Sequence, residues 1–374
     1  MIYLDSAATT FQKPLAVNWA VEQAFQTMSS PGRGSYAAAV AAADMVFDCR
    51  CALAELYGVE DPGRVVFTMN ATHALNLAIK SLVPPGGRAV ISGWEHNAVT
   101  RPLQALGAKI GTAAGQLFDG EAVLRDFRRS LLASRPHAVI CTHVSNVFGF
   151  VLPIEEVAEL CRQQGIPLIV DASQSAGCLT LHMKRLEAAF IAMPGHKGLY
   201  GPQGTGVLLC GREQTKPLLE GGTGSLSIQQ EMPDFLPDRL EAGTHNVPGI
   251  AGLLAGVNYV RERGVENILM HERELIRIAV DGLRSMKGVQ IFDGSAQTGV
   301  LSFTVKNRDV EELAAAMADK GFALRAGLHC APLAHASAGT LKTGTLRLSV
   351  SDLNTASEIF RFLNVTEEIL DGIF

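Results

Sequence analysis

Six short apolar runs rich in branched residues recur through the first part of the chain: Val65–Phe67, Ala89–Ser92, Ala138–Cys141, Pro167–Val170, Ala188–Ala192 and Gly206–Cys210. None alternates between apolar and polar residues, so each reads as a strand buried on both faces. The segments between them carry apolar residues at helical spacing; in Ile154–Gln164, Val157, Leu160 and Cys161 share one face. Buried strands separated by helices specify a mostly parallel sheet covered on both sides, an α/β architecture. Ligands of such sheets gather beyond the carboxyl ends of the strands. Thr68, Ser92, Thr142 and Asp171 stand at those ends.

After about residue 255 the pattern changes. An amphipathic stretch over Ile250–Met286 leads to strand Gly299–Val305, helix Val310–Lys320, strand Thr345–Val350 and helix Thr355–Phe374, with Asp309 and Asn354 as the expected helix caps. The alanine-rich segment from Tyr36 to Ala43 reads as helix on intrinsic propensity alone. A chain of 374 residues exceeds one typical domain. The expected division is a large domain over 15–255 and a smaller α/β domain built from 1–14 and 256–374.

A net charge of −5 without any basic run argues against nucleic acid or an anionic membrane as partner. The first residues lack the basic and apolar regions of a signal peptide, and no apolar run is long enough to span a bilayer, so the cytoplasm is the expected location. Seven cysteines without a C-x-x-C pair speak against a disulfide framework or a zinc knuckle. Cys141, Cys178 and Cys210 lie in or beside apolar runs and read as core thiols.

Chemistry concentrates around two residues. Asp171 ends an apolar run, and Lys197 follows it by 26 positions in the glycine-bounded loop Gly195-His196-Lys197-Gly198. The pair suits pyridoxal 5′-phosphate (PLP), whose aldehyde a lysine binds covalently and whose pyridine nitrogen an aspartate keeps protonated. Phe67-Thr-Met-Asn70-Ala71-Thr72 reads as a strand, a turn and a helix start, where free amides and the helix dipole suit a phosphate. Glu95-His96-Asn97 follows another strand and places an imidazole where it can stack on a flat ring. Asn146 closes the polar series Thr142-His143-Val-Ser-Asn146 beyond a third strand, and Gln174 follows Asp171 by three residues.

In their order along the chain these segments, with Leu4-Asp5-Ser-Ala-Ala-Thr9, Glu241-Ala-Gly-Thr244 and Arg325-Ala-Gly-Leu-His329-Cys330-Ala-Pro332, resemble the class V aminotransferase family. Within it the likeness is to the cysteine desulfurases and selenocysteine lyases, and it runs from Leu4 to Arg347. The resemblance implies a fold-type I PLP enzyme, with a mostly parallel seven-stranded sheet in the large domain, that works as a homodimer with its active sites at the subunit interface. It implies that Lys197 carries PLP, Asp171 pairs with the pyridinium nitrogen, His96 stacks on the ring and Gln174 bonds the phenolic oxygen. Ala71, Thr72 and His196 are implied to hold the phosphate, and Thr244 to reach the phosphate of the neighbouring subunit. Asn146 is implied to lie beside the ring and the substrate, Arg347 to clamp the substrate α-carboxylate, and Arg325 to be a further substrate-binding residue.

Cys330 distinguishes among reactions. Removing sulfur from L-cysteine needs a nucleophile for Sγ, and a thiolate serves. His329, Arg325 and His335 are candidate charges to lower its pKa. The expected activity is therefore conversion of L-cysteine to L-alanine with the sulfur passed to Cys330 as a persulfide, and on to a possible acceptor protein. A selenocysteine lyase, or a family aminotransferase or epimerase without sulfur chemistry, is the alternative. Three features depart from the family pattern. Pro194 replaces a common phosphate-binding serine, Arg33 and Tyr36 stand in an early loop where relatives carry a histidine, and only 16 residues separate Cys330 from Arg347.

Overall fold

The computed structural model describes residues 1–32 and 34–372. Its elements in chain order are β1 (Ile2–Tyr3), α1 (Leu15–Thr27), α2 (Ala37–Tyr57), β2 (Val65–Thr68), α3 (Ala71–Leu82), β3 (Arg88–Ser92), α4 (Asn97–Ala105) and β4 (Lys109–Ala113). Then come α5 (Gly120–Ser134), β5 (Ala138–Thr142), α6 (Ile154–Gln163), β6 (Leu168–Asp171), α7 (Met183–Leu186), β7 (Phe190–Pro194), β8 (Gly206–Cys210), α8 (Val247–Arg263) and α9 (Val265–Arg284). The chain ends with β9 (Val289–Phe292), β10 (Val300–Val305), α10 (Val310–Asp319), β11 (Phe322–Ala323), β12 (Arg325–Gly327), α11 (Pro332–Ser337), β13 (Thr345–Ser349) and α12 (Ala356–Asp371).

The six apolar runs form six strands of a seven-stranded sheet in the order β2-β8-β7-β6-β5-β3-β4. Only β8 runs against its neighbours. Every residue of β2, β5, β6, β7 and β8 is buried, which is why these strands show no polar alternation. The seventh strand, β4, escapes the sequence reading because it lies at the sheet edge and is mostly exposed. Its sequence Lys-Ile-Gly-Thr-Ala carries no apolar run. Because β2, β3, β5, β6 and β7 are codirectional, their carboxyl ends deliver Thr68, Ser92, Thr142, Asp171 and Pro194 to one edge.

A second sheet, β12-β13-β10-β9, is antiparallel throughout. Its apolar core joins Leu301, Phe303, Leu346 and Leu348 to Ala279 and Leu283 of α9 and Phe362 of α12. Ile2 and Leu4 belong to that same core, since β1 pairs with β11 and Asp5 bridges to Ser349. The amphipathic stretch expected over 250–286 is two helices, broken at Gly264, whose φ of 81° a residue with a side chain rarely adopts. Asp309 caps α10 as expected, accepting from the amides of Glu311 and Glu312. Asn354 is not the cap of α12. Thr355 takes that place in a capping box with Glu358, while Asn354 accepts from the Ser351 amide.

A candidate active site at the carboxyl ends of the strands

A cleft of about 190 Å³ opens at the strand ends. The amino terminus of α3 contributes Asn70, Ala71 and Thr72, the loops after β3 and β5 contribute His96 and Asn146, the last residue of β6 is Asp171, and the turns after β6 and β7 contribute Gln174, His196 and Lys197. Nine residues separated by up to 127 positions thus face one space, because the parallel sheet places successive loops side by side.

Asn70, His96, Asp171, Gln174 and His196 are held by hydrogen bonds from behind. Asn70 caps α3 by accepting from the His73 amide, which leaves the first helical amides, those of Ala71 and Thr72, without intrahelical acceptors. His96 caps α4, its Nδ1 accepting from the Ala98 amide at 3.0 Å. The neutral ring then carries its proton on Nε2, and burial lowers its pKa. Buried Trp94 fixes the loop that carries His96: its ring meets Phe148 and Phe150 edge to face, and its Nε1 donates to the Ala114 carbonyl at 2.7 Å. Asp171 is 2% exposed, and its Oδ1 accepts from the amide and hydroxyl of Ser173 at 2.9 and 2.5 Å. Its Oδ2 has no hydrogen-bond partner among the described residues. Lys197 Nζ is likewise unbonded there, and burial lowers its pKa to about 8 although Asp171 pushes the other way. His196 shares a hydrogen bond of 3.0 Å with the Thr9 hydroxyl through Nδ1, and burial brings its pKa to about 4. Gln174 Nε2 donates to the Ala7 carbonyl at 2.9 Å, keeping its second N–H for another acceptor.

Cys330 and the arginines lie outside the walls of this cleft but are tied to it. Cys330 is exposed, between β12 and α11. It and His329 both adopt left-handed backbone, with φ of 55° and 48°, a conformation that residues with side chains hold only under constraint. The constraint is two hydrogen bonds to residues at the cleft: Asn146 Nδ2 donates to the His329 carbonyl and the Asn97 amide to the Cys330 carbonyl, both at 2.8 Å. His329 and His335 do not provide the cationic neighbours expected for this thiol. Their rings stack on one another within the protein, and burial holds both neutral, His335 with a pKa of about 4. Arg347 is buried, donating through Nη1 to the Asn146 carbonyl at 2.9 Å and through Nη2 to Asp5 at 2.6 Å. Arg325 Nε donates to the other oxygen of Asp5 at 3.0 Å. Thr244 lies elsewhere, in a cavity of about 150 Å³ shared with Met69 and His73 at the start of α3. Tyr36 stands at the start of α2, its hydroxyl accepting from Ser29 at 3.2 Å, and Arg33 falls outside the described residues.

The family profile for class V aminotransferases matches residues 2–362. The chain belongs to the class V aminotransferase family. Relatives within this family include a probable cysteine desulfurase of Pyrococcus abyssi, 30% identical over all of this chain and 95% of that protein. Another, of Xylella fastidiosa, is 34% identical over 97% of this chain and 89% of its own length. A probable cysteine desulfurase of Mycolicibacterium paratuberculosis is 32% identical over the whole chain, which spans 56% of that longer relative. Among solved structures, the apo cysteine desulfurase of Thermococcus onnurineus superposes with a TM-score of 0.90 at 30% identity, covering 99% of this chain and 95% of that one. A cysteine desulfurase of Escherichia coli gives 0.86 at 28% identity, covering 99% and 94%.

Class V membership implies PLP as the cofactor, and the cleft fits it. A carboxylate oxygen without a partner, an amine without a partner and the open amides of a helix terminus answer the pyridine nitrogen, the aldehyde and the phosphate respectively. Two contributors escaped the sequence reading as functional residues. Asp5 was visible only as part of a family motif, and the Asn97 amide leaves no sequence signal at all.

Proposed function

We propose that this class V protein is a PLP-dependent cysteine desulfurase that converts L-cysteine to L-alanine and carries the sulfur away on Cys330. One observation carries the reading: the exposed thiol of Cys330 sits on a strained turn whose backbone is bonded to Asn146 and Asn97, both adjoining the cleft. Amino transfer has no task for such a thiol. The relatives named cysteine desulfurases support the same choice.

When bound, PLP supplies an electron sink that stabilises negative charge developing on the carbon skeleton of the amino acid. Ala71 and Thr72 amides and His196 hold its phosphate, Asp171 Oδ2 its pyridinium nitrogen, and Gln174 Nε2 its phenolic oxygen. His96 covers the ring. Lys197 Nζ would hold the aldehyde in the resting enzyme and, as a free amine whose pKa burial lowers to about 8, would take and return the substrate Cα proton near neutral pH. Arg347 binds the α-carboxylate with Arg325 nearby, and Asn146 orients the substrate. The Cys330 thiolate attacks substrate Sγ; the new S–S bond forms as the Cβ–Sγ bond breaks, and Cβ is protonated to give alanine. Sulfur remains on Cys330 as a persulfide for a thiol or protein acceptor.

The working unit in this reading is a homodimer. α1 and α2 expose Leu15, Trp19, Phe25, Val40 and Phe47, an apolar surface suited to a second copy. Thr244 reaches the neighbouring phosphate in that arrangement. The deciding experiment incubates the PLP-loaded protein with L-cysteine, measures alanine and sulfide, and maps added sulfur by mass spectrometry. One extra sulfur on Cys330 is expected, and none on the Cys330→Ala variant. Full turnover by Cys330→Ala would overturn the reading.

A further inference from the structure

The N-terminal segment, read from sequence as part of a motif, reaches the site at every turn. Asp5 lies 7% exposed between the two arginines, Oδ1 accepting from Arg347 Nη2 at 2.6 Å and Oδ2 from Arg325 Nε at 3.0 Å. Arg325 and Arg347 stand directly opposite one another on the antiparallel strands β12 and β13. Two like charges in that register repel. Asp5 lies between them, and its own position is fixed by the main chain: the Leu4 carbonyl accepts from the Ser349 amide at 2.8 Å, and the Ala7 amide donates to the Ser349 hydroxyl at 2.9 Å. Beyond Asp5 the segment continues to Gln174 through the Ala7 carbonyl and to the lysine loop through the Thr10 amide, which donates to the His196 carbonyl at 3.1 Å.

The geometry points to Asp5 as a positioning residue for substrate-carboxylate recognition. It holds the Arg347 guanidinium in plane and lowers the formal charge of the arginine pair from +2 to +1, the match for a single α-carboxylate. Arg347 spends one N–H on Asp5 and one on Asn146, so three of its five donors stay available, including a buried Nε without a partner. Two suffice for a bidentate carboxylate. The inference rests on the assignment of Arg347 as the substrate clamp.

The test uses PLP-loaded protein and two probes, L-alanine and L-alaninamide, which differ only in the carboxylate, titrated by calorimetry alongside L-cysteine kinetics. Asp5→Asn is expected to weaken L-alanine binding and raise KM for L-cysteine by about tenfold or more, the effect of removing one partner of a charged hydrogen bond. The kcat, the cofactor content and L-alaninamide binding should stay close to wild type. Asp5→Glu, which keeps the charge, is expected to recover part of the L-alanine affinity, and it carries the test if the asparagine variant does not fold. Equal loss for both probes would reduce Asp5 to a structural residue, and wild-type L-alanine binding in Asp5→Asn would overturn the proposal. Arg347→Lys separates the two layers. If it leaves L-alanine binding unchanged, the clamp assignment itself falls; if it abolishes binding while Asp5→Asn does not, only the role of Asp5 falls.

Discussion

Lys197 owes its chemistry to where its amine is kept. Burial favours the neutral form and brings its pKa to about 8, with Asp171 opposing the shift. Below that value the neutral, nucleophilic fraction drops about tenfold per pH unit. Covalent capture of added PLP by apo-protein, followed by its absorbance, should therefore accelerate from pH 6 to 8 and level off above. A rate flat across this range would contradict the assignment. Asp171→Asn keeps the shape and the Oδ1 contacts to Ser173 but removes the charge. Turnover should fall by about 10²-fold or more while the fold and some PLP binding persist, since a preorganised charge at a reacting centre is worth that much. Unchanged single-turnover rates would exclude the role. Lys197 and Asp171 were both legible in the sequence, because a strand-end acid and a glycine-bounded lysine are local patterns. The silent histidines were not. His329 and His335 look like cations beside Cys330, and only their burial shows them neutral.

In the proposed desulfurase reaction, sulfur transfer depends on the turn at His329 and Cys330. Its left-handed backbone persists because two carbonyls are anchored, one by the Asn146 side chain and one by the first amide of α4. Asn146→Asp replaces the donor to His329 with an acceptor and sets two oxygens against each other. Leaving a buried carbonyl unpaired costs about 1–3 kcal/mol locally. Amide exchange over residues 328–331 should rise about tenfold, and persulfide formation on Cys330 should slow, both read by mass spectrometry. Unaltered exchange would show that the tether does not hold the turn. Strands without polar alternation and helices with one apolar face were readable because sheet and helix periods are local. Edge strand β4 was not, since its exposed residues leave no apolar run, and the cap of α12, Thr355, lies one residue past the predicted cap.

Across the whole molecule, two carboxyl groups outside the proposed chemistry connect folding to pH. Glu95 follows β3, and Glu272 lies on α9, lining one cavity with Gly299 and Tyr200. Burial raises both to about 8 from an ordinary value of 4.5. A raised carboxyl pKa means that the folded state keeps a proton the unfolded chain releases. Each group's contribution is thus full below about 4.5 and is lost as pH climbs towards 8. Several buried histidines titrate in the opposite sense at lower pH, so the informative quantity is a difference. Glu272→Gln should gain in Tm relative to wild type as pH rises from 5 to 8, and a difference that stays constant would refute the proton held at Glu272. At the same scale, light scattering should find a dimer at micromolar concentration; an active, PLP-saturated monomer would break the shared-site reading. Among the described residues no helix is long and apolar enough to cross a membrane.

By itself the sequence determined the parallel α/β plan, the strand-end positions of Thr68, Ser92, Thr142 and Asp171, and the residue types from which PLP chemistry follows. These follow from short-range rules: hydrophobic period, capping chemistry and the spacing of a lysine from an acid. Tertiary structure alone decided what meets across the chain. Asp5 reaches Arg347, 342 positions away, and the amide next to His96 anchors Cys330. Those contacts arise because β1 and the bridge at Asp5 join the first residues to the last strands, while parallel crossovers stack distant loops at one sheet edge. A hydrogen bond between backbone or side chain groups so far apart in sequence depends on the packing of whole elements, and no local pattern records it.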